Sequence, residues 1–398
     1  MKFKIQNSKF KISALSMSPQ RIIAHLDLDT FFVSVELLNH PEYIGKPSFV
    51  GGRDRGVVTS ASYEARAYGI RSGMPSRKAL QLCPHAIVLG WSRHEYSRYS
   101  RWVTQIIADK APLFEKASID EFYIDLTGMQ KFFNPLQWTI DLRQQIMDQT
   151  KLPISFGLAS NKMMAKIATD EAKPCGYLQV PFGKEKEFLA PMKVSKIPGV
   201  GDHTYAVLKA MGIETINDIS QKTQQELEER LGKWGTDLWF KSQGIHHGEV
   251  SPYHEAKSIS SEHTFDENKT NIDFLHSELV RLTEKIAFEL REDGKVAGCI
   301  AVKIRYSNFE TVSRQTTIAY TCADDEMIPV VKELFDKLYI KGEPVRLLGV
   351  RLSELTNEAI QTNLFNDLER KTGLYKAIDN VKNRFGKNSI SRASSSKK

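Results

Sequence analysis

Two carboxylates, Asp27 and Asp29, end a short apolar run (Ile22, Ile23, Ala24, Leu26, Leu28), and Phe31 and Phe32 follow at once. A second acidic pair, Asp120-Glu121, separates two further strand-like runs, Phe114–Ile119 and Phe122–Leu126. The core of a sheet cannot solvate ionised carboxylates, so acids at strand ends must be compensated. Hard cations, which seek oxygen ligands, would compensate both sets if the sets converge. A fold that carries residue 27 to residues 120 and 121 is therefore the first expectation. Taken singly, the acids have plainer readings: Asp29 as the cap of a helix starting near Phe31, and Asp120-Glu121 as a hairpin turn.

At 398 residues the chain exceeds what one hydrophobic core sustains, so several domains are expected. No apolar stretch approaches the roughly 20 residues that span a bilayer. Residues 1–20, read as an N-terminal extension, lack the continuous apolar block of a secretory signal. Cys83, Cys175, Cys299 and Cys322 are scattered without CxxC spacing and read as reduced thiols. A cytoplasmic monomer is expected. The net charge of +7 is misleading, because residues 1–21 carry +5 and residues 366–398 carry +6, which leaves the 344 residues between them at −4. Binding to nucleic acid must then rest on local patches rather than on overall basicity.

Strands and helices alternate from Arg21 to about Val180, with an inserted segment at 31–91. Expected strands are Ile22–Leu28, Val57–Ser60, Ile87–Leu89, Phe114–Ser118, Phe122–Leu126 and Ile154–Leu158. Expected helices are Phe31–Leu38, Ser76–Leu82, Glu95–Lys110, Pro135–Thr150 and Lys162–Glu171. Residues 181–247 are helical, and 248–257 read as a linker. Residues 258–357 follow a βαββαβ order, a small split-βαβ unit. In the last stretch Leu374, Ile378, Val381 and Phe385 line one helical face.

Tyr63 and Arg66, three apart, share a face if helical, and a phenol beside a guanidinium suits a polyphosphate. Lys173, just past a helix C-terminus, adds a third donor or simply favours the helix dipole. His25-Leu-Asp27-Leu-Asp-Thr-Phe-Phe32, Gly56-Val-Val-Thr-Ser-Ala-Ser-Tyr-Glu-Ala-Arg66, Ser118-Ile-Asp-Glu121 and Ile197-Pro-Gly-Val-Gly201 occur in this order. Together they resemble Y-family (translesion) DNA polymerases, of the bacterial DNA polymerase IV class, over roughly residues 21–365.

The resemblance implies an α+β multidomain, right-hand polymerase. It would have a ferredoxin-like palm (21–30 and 92–180), small fingers (31–91), a helical thumb (181–247) with a helix-hairpin-helix near 196–213, and a βαββαβ little finger (258–357). It implies that Asp27, Asp120 and Glu121, with the Leu28 carbonyl, hold two Mg²⁺ ions, Asp29 being structural. Two divalent ions about 3.7 Å apart repel by about 18 kcal/mol at an effective dielectric of about 20, more than one carboxylate could offset. Tyr63, Arg66, Lys173, Ser60 and the backbone at Phe31 and Phe32 would surround the incoming nucleotide, with the Phe32 ring rejecting a ribose hydroxyl. Ordinary core burial is the plainer reading of Phe32.

Gly199 and Gly201 expose N–H groups at a helix start, where a DNA phosphate can sit; a tight turn between helices without a ligand has the same signature. Lys303 and Arg305 alternate with Val302, Ile304 and Tyr306 on one strand, and Arg314 and Arg351 lie on neighbouring strands, as in the family's duplex-binding sheet. Gln361, Leu364 and Phe365, in the segment 358–398, resemble the anchors of a sliding-clamp peptide. The basic tail beyond them is either a helix touching DNA or a partner, or solvated charge. The expected partners are primer-template DNA, a dNTP and a sliding clamp. A two-metal nuclease and a catalytically silent DNA-binding scaffold are the alternatives.

Overall fold

A computed structural model describes residues 20–52, 55–253, 255–357, 368–387 and 389–395. The chain divides into two compact units at Tyr253/His254, inside the expected linker.

In the first unit, β1 (Ile23–Leu28) has all six residues buried. It lies mid-sheet between β6 (Glu121–Asp125) and β7 (Ile154–Ala159), antiparallel to both. β5 (Phe114–Lys116) and the short β8 (Tyr177–Gln179), the latter parallel to β7, complete the order β5-β6-β1-β7-β8. Side chains alternate across a strand. Ala24, Leu26 and Leu28 therefore enter one core, shared with α1 (Phe31–Asn39), α4 (Arg93–Ala108) and α5 (Pro135–Thr150). Ile23, His25 and Asp27 face the other way, toward α6 (Lys162–Ala172). Gly157, paired with His25, is what lets α6 come so close: a Cβ there would stand 2.2 Å from the Ala165 carbonyl oxygen.

The inserted segment forms its own three-stranded sheet, β2 (Ser48–Gly51) between β3 (Val58–Ala61) and β4 (Ile87–Leu89), with α2 (Tyr63–Ala67) and α3 (Ser76–Leu82). Its core joins Phe49, Val58, Ala65, Ile70 and Cys83. α1, expected as part of this insertion, buries Phe31, Val33 and Val35 in the larger core instead. Residues 181–247 form five short helices, α7 (Glu185–Leu189), α8 (Asp202–Ala210), α9 (Ile216–Ser220), α10 (Gln224–Leu231) and α11 (Lys233–Ser242). Capping boxes at Thr215 and Thr223 start α9 and α10.

The second unit has the expected βαββαβ order: β9 (Ser258–Lys269), α12 (Ile272–Glu292), β10 (Val296–Tyr306), β11 (Thr311–Thr321), α13 (Asp324–Leu338) and β12 (Val345–Thr356). The sheet order β11-β10-β12-β9, antiparallel throughout, splits both crossovers by one strand. The tail carries a helix, α14 (Leu368–Phe385). It is anchored on its own unit: Arg291 donates to the Asp379 carboxylate at 2.7 and 2.9 Å, and the Tyr375 hydroxyl lies 3.0 Å from Asp324. Tyr375 is buried, whereas Leu374, Val381 and Phe385 of the apolar stripe are exposed. The helix docks through the Arg291–Asp379 ion pair and the buried Tyr375 rather than through the face its periodicity suggested.

Candidate active site

The pairing of β1 with β6 sets Asp27 directly opposite Glu121, and the Leu28 N–H donates to the Asp120 carbonyl at 3.1 Å. Asp27 and Glu121 are neighbours in one sheet, and Asp120 ends the turn that enters β6 beside them. The hairpin reading of Asp120-Glu121 holds at the same time, since the Ser118 hydroxyl accepts the N–H groups of Asp120 and Glu121 and donates to the Asp120 carboxylate at 2.5 Å.

Two lysines compensate the acids. Lys173 Nζ lies 2.8 Å from Asp27 and 3.4 Å from Asp170, and Lys166 from α6 pairs with Glu121. Burial pushes the Asp27 carboxyl up to about 7, against the pull of Lys173, with Glu121 and Asp120 pushing the same way as burial. Glu121 is held below the ordinary carboxylate range by the His25 ring, 3.8 Å away, and by Lys166, which together outweigh its burial. His25 is fully buried, which lowers its own pKa, and its Nδ1 meets the Thr169 hydroxyl at 2.9 Å. Lys166, Asp170, Thr169, Ser118 and His25 were not singled out from sequence. The i, i+4 repeat Lys162/Lys166 on α6 was the available signal for one of them.

Among the described residues, no three His, Cys, Asp or Glu side chains are gathered so as to hold a metal ion. The donor chemistry nonetheless fits a hard divalent cation, because two carboxylates paired across the sheet and a third in the adjoining turn supply only oxygen ligands. Such an ion would compete with Lys173 for Asp27 and with Lys166 for Glu121.

Asp29 is not the helix cap. Thr30 holds that position, and the Asp29 carboxylate instead accepts from Ser155 Oγ (2.7 Å), the Cys175 N–H (2.6 Å) and the Tyr63 hydroxyl (3.4 Å). It ties α2 to the segment after Lys173, a structural role. Tyr63 and Arg66 share a face of α2 as expected, the guanidinium 4.9 Å above the ring and donating to the Ala61 carbonyl at 3.1 Å. Burial first, then Asp29, pushes the Tyr63 phenol up to about 12, so it stays protonated as a donor. Ser60 is buried on β3. Phe31 is buried at the first position of α1, and Phe32 beside it is half-buried.

Gly199 adopts φ +98°, a conformation that suits glycine, and Gly201 precedes α8 as its N-cap. In the second unit, Lys303 and Arg305 are half-buried on the sheet face opposite Val302 and Ile304. Arg351 pairs with Ala301 and so shares the face of Lys303. Arg314 does not: it pairs with Val302, whose side chain enters the helix-covered core, so the register turns it to the other face. The three remaining cations are already engaged, Lys303 by Glu262 (2.6 Å), Arg305 by Thr311 (2.8 Å) and Arg351 by Gln315 (3.4 Å). Gln361, Leu364 and Phe365 lie outside the described residues. Among those described, no helix is long and apolar enough to cross a membrane.

Family models match most of the chain. One described as the impB/mucB/samB family covers residues 26–170, its C-terminal domain covers 256–364, and a DNA polymerase-iota thumb domain covers 195–246. DNA polymerase IV of Desulfatibacillum aliphaticivorans is 37% identical over 382 residues, 94% of this chain and 96% of that relative. DNA polymerase IV of a Dehalococcoides mccartyi strain is 37% identical over 375 residues, 93% and 96% of the two chains. Among solved structures, a Y-family DNA polymerase chimera of Dbh and Dpo4 superposes with a TM-score of 0.76 at 27% identity, covering 85% of this chain and all of that one. An insertion ternary complex of Dbh DNA polymerase gives 0.62, also at 27% identity, covering 83% and 98%. The fold and these matches define a Y-family, translesion-class, DNA-directed DNA polymerase. Within that class, the chain belongs to the DNA polymerase IV family. Neither the nuclease nor the silent-scaffold alternative survives that membership.

Proposed function

We propose that this chain extends a DNA primer across damaged template, without proofreading, by attack of the primer 3′-hydroxyl on the α-phosphate of an incoming dNTP. The observation that carries the mechanism is the pairing of Asp27 with Glu121 beside Asp120. These carboxylates and the Leu28 carbonyl would hold two Mg²⁺ ions. When bound, the ions supply the positive charge that makes the hydroxyl a better nucleophile and neutralises the leaving pyrophosphate. Lys166 and Lys173 balance the acids otherwise, and a nucleotide's phosphates would give Lys173 a second anion besides Asp27.

Arg66, stacked on Tyr63 and fixed by the Ala61 carbonyl, offers its remaining guanidinium donors to the triphosphate. The Tyr63 phenol, Ser60 and the backbone at the start of α1 around Phe31 and Phe32 belong to the same binding site. Primer extension with dNTPs and Mg²⁺ on undamaged and abasic templates tests the proposal. Products on both are expected, and no extension on either would refute it.

Phe32 is read as the sugar gate, its ring leaving no room for a 2′-hydroxyl. Phe32→Ala is expected to lower discrimination between dNTP and rNTP by about 10²-fold, read from the ratio of kcat/KM values. On the DNA side, Gly199 and Gly201 present backbone donors to a phosphate, and Lys303, Arg305 and Arg351 form the phosphate-facing set of the second unit. DNA affinity should fall steeply with salt. Lys303→Ala should reduce the slope of log affinity against log salt by about 0.9, whereas Arg314→Ala should leave it nearly unchanged. Equal slopes for Lys303→Ala and the parent chain would exclude this face. Attachment to a sliding clamp through Gln361, Leu364 and Phe365 is part of the proposal, as is action as a monomer in the cytoplasm.

A further inference from the structure

We propose that Trp91, held by a latch between Glu36 and Tyr96, is a positioning residue that sets sugar specificity by fixing the Phe32 ring. The inference deepens, and rests on, the sugar-gate reading of Phe32. Three rings surround Phe32: Tyr96 with its centroid at 4.6 Å, Phe31 at 5.4 Å and Trp91 at 5.5 Å. Trp91 also meets Tyr96 edge to face at 5.5 Å. Tyr96 belongs to the core, 1% exposed, but Trp91 is 54% exposed. A large aromatic left half in water, with its contacts on a functional ring, is placed for something other than core stability.

The latch explains how an exposed indole keeps that position. Glu36 lies four residues after Phe32 on α1, one turn further along, and is 4% exposed. Its carboxylate accepts the Tyr96 hydroxyl and, at 3.1 Å, the Ser92 N–H. The Tyr96 oxygen accepts the same N–H at 3.2 Å. The backbone beside Trp91 is thereby tied to the helix that carries Phe32. Burial and the Glu36 carboxylate both raise the Tyr96 pKa, which keeps the phenol protonated as the donor the latch needs. An aromatic ring excludes a hydroxyl by overlap only if it cannot swing aside, and Trp91 with Tyr96 removes that freedom.

The test is single-nucleotide insertion by the full chain, with kcat/KM measured for a dNTP and the matching rNTP. The variants are Trp91→Ala, Trp91→Phe, Glu36→Gln and Phe32→Ala. Trp91→Ala is expected to lower discrimination about tenfold through a rise in rNTP use, with dNTP kcat/KM unchanged. Trp91→Phe should retain most of the discrimination, and Glu36→Gln should shift it in the same direction as Trp91→Ala. Unchanged discrimination in Trp91→Ala, or an equal loss with both sugars, would overturn the inference. If Phe32→Ala relaxes discrimination and Trp91→Ala does not, the inference falls while the sugar gate stands. If Phe32→Ala also leaves discrimination unchanged, both fall.

Discussion

Asp120→Ala is expected to lower primer extension at saturating dNTP and Mg²⁺ by at least about 10³-fold, equivalent to roughly 4 kcal/mol of transition-state stabilisation. Among the described residues, Asp120 is the one acid of the three that pairs with no lysine. Among those residues its carboxylate receives only the Ser118 hydroxyl, which leaves it the most available to a cation. It is half-buried in the turn entering β6, and its backbone bonds to Ser118 and Leu28 do not need the side chain. Truncation should therefore cost the fold little, about 0.5 kcal/mol or less. An unchanged urea midpoint beside a collapse in extension is the expected pair of results. Retained extension would remove Asp120 from the catalytic set.

Asp27→Asn should have the opposite effect on stability while also abolishing activity. Burial pushes the Asp27 carboxyl from its ordinary 3.8 up to about 7 in the folded chain, against the pull of Lys173. A group whose folded pKa is raised stabilises the fold while protonated. That contribution is complete below about 3.8 and is lost as pH rises through 7. Above pH 7 the fold carries an ionised, nearly buried carboxylate that Lys173 only partly offsets. Asparagine keeps the neutral shape. In metal-free buffer the variant should be more stable than the parent at pH 8, by up to about 4 kcal/mol, and no more stable at pH 3.5. Denaturant midpoints at the two pH values measure this. A destabilised variant at pH 8 would mean that the ion pair with Lys173 outweighs the burial.

The fold was legible where the chain carries its own signals. Pro135–Thr150 matches the expected helix because Asn134 caps it and Pro135 opens it, and Ser76–Leu82 matches as well. β2 and β8 escaped notice while the equally short β3 and β4 did not, because Val58-Thr59 and Ile87-Val88 are adjacent β-branched pairs that Ser48–Gly51 and Tyr177–Gln179 lack. Asp27, Asp120 and Glu121 could be singled out because carboxylates at strand ends violate local preference. The partners of Glu121 and of Asp29 could not: Lys166 meets Glu121 across 45 positions, and Cys175 meets Asp29 across 146. Such pairs exist only once β1 and α6 have packed. Arg314 shows the reverse failure, since its strand was foreseen while its face depends on a register that no local pattern fixes.

Direct counting of bound ions is the sharpest test. With Mn²⁺ in place of Mg²⁺ and a dNTP present, electron paramagnetic resonance titration should find two protein-held ions in the parent chain and at least one fewer in Asp120→Ala. An identical count in both proteins would contradict a cation site built from Asp27, Asp120 and Glu121.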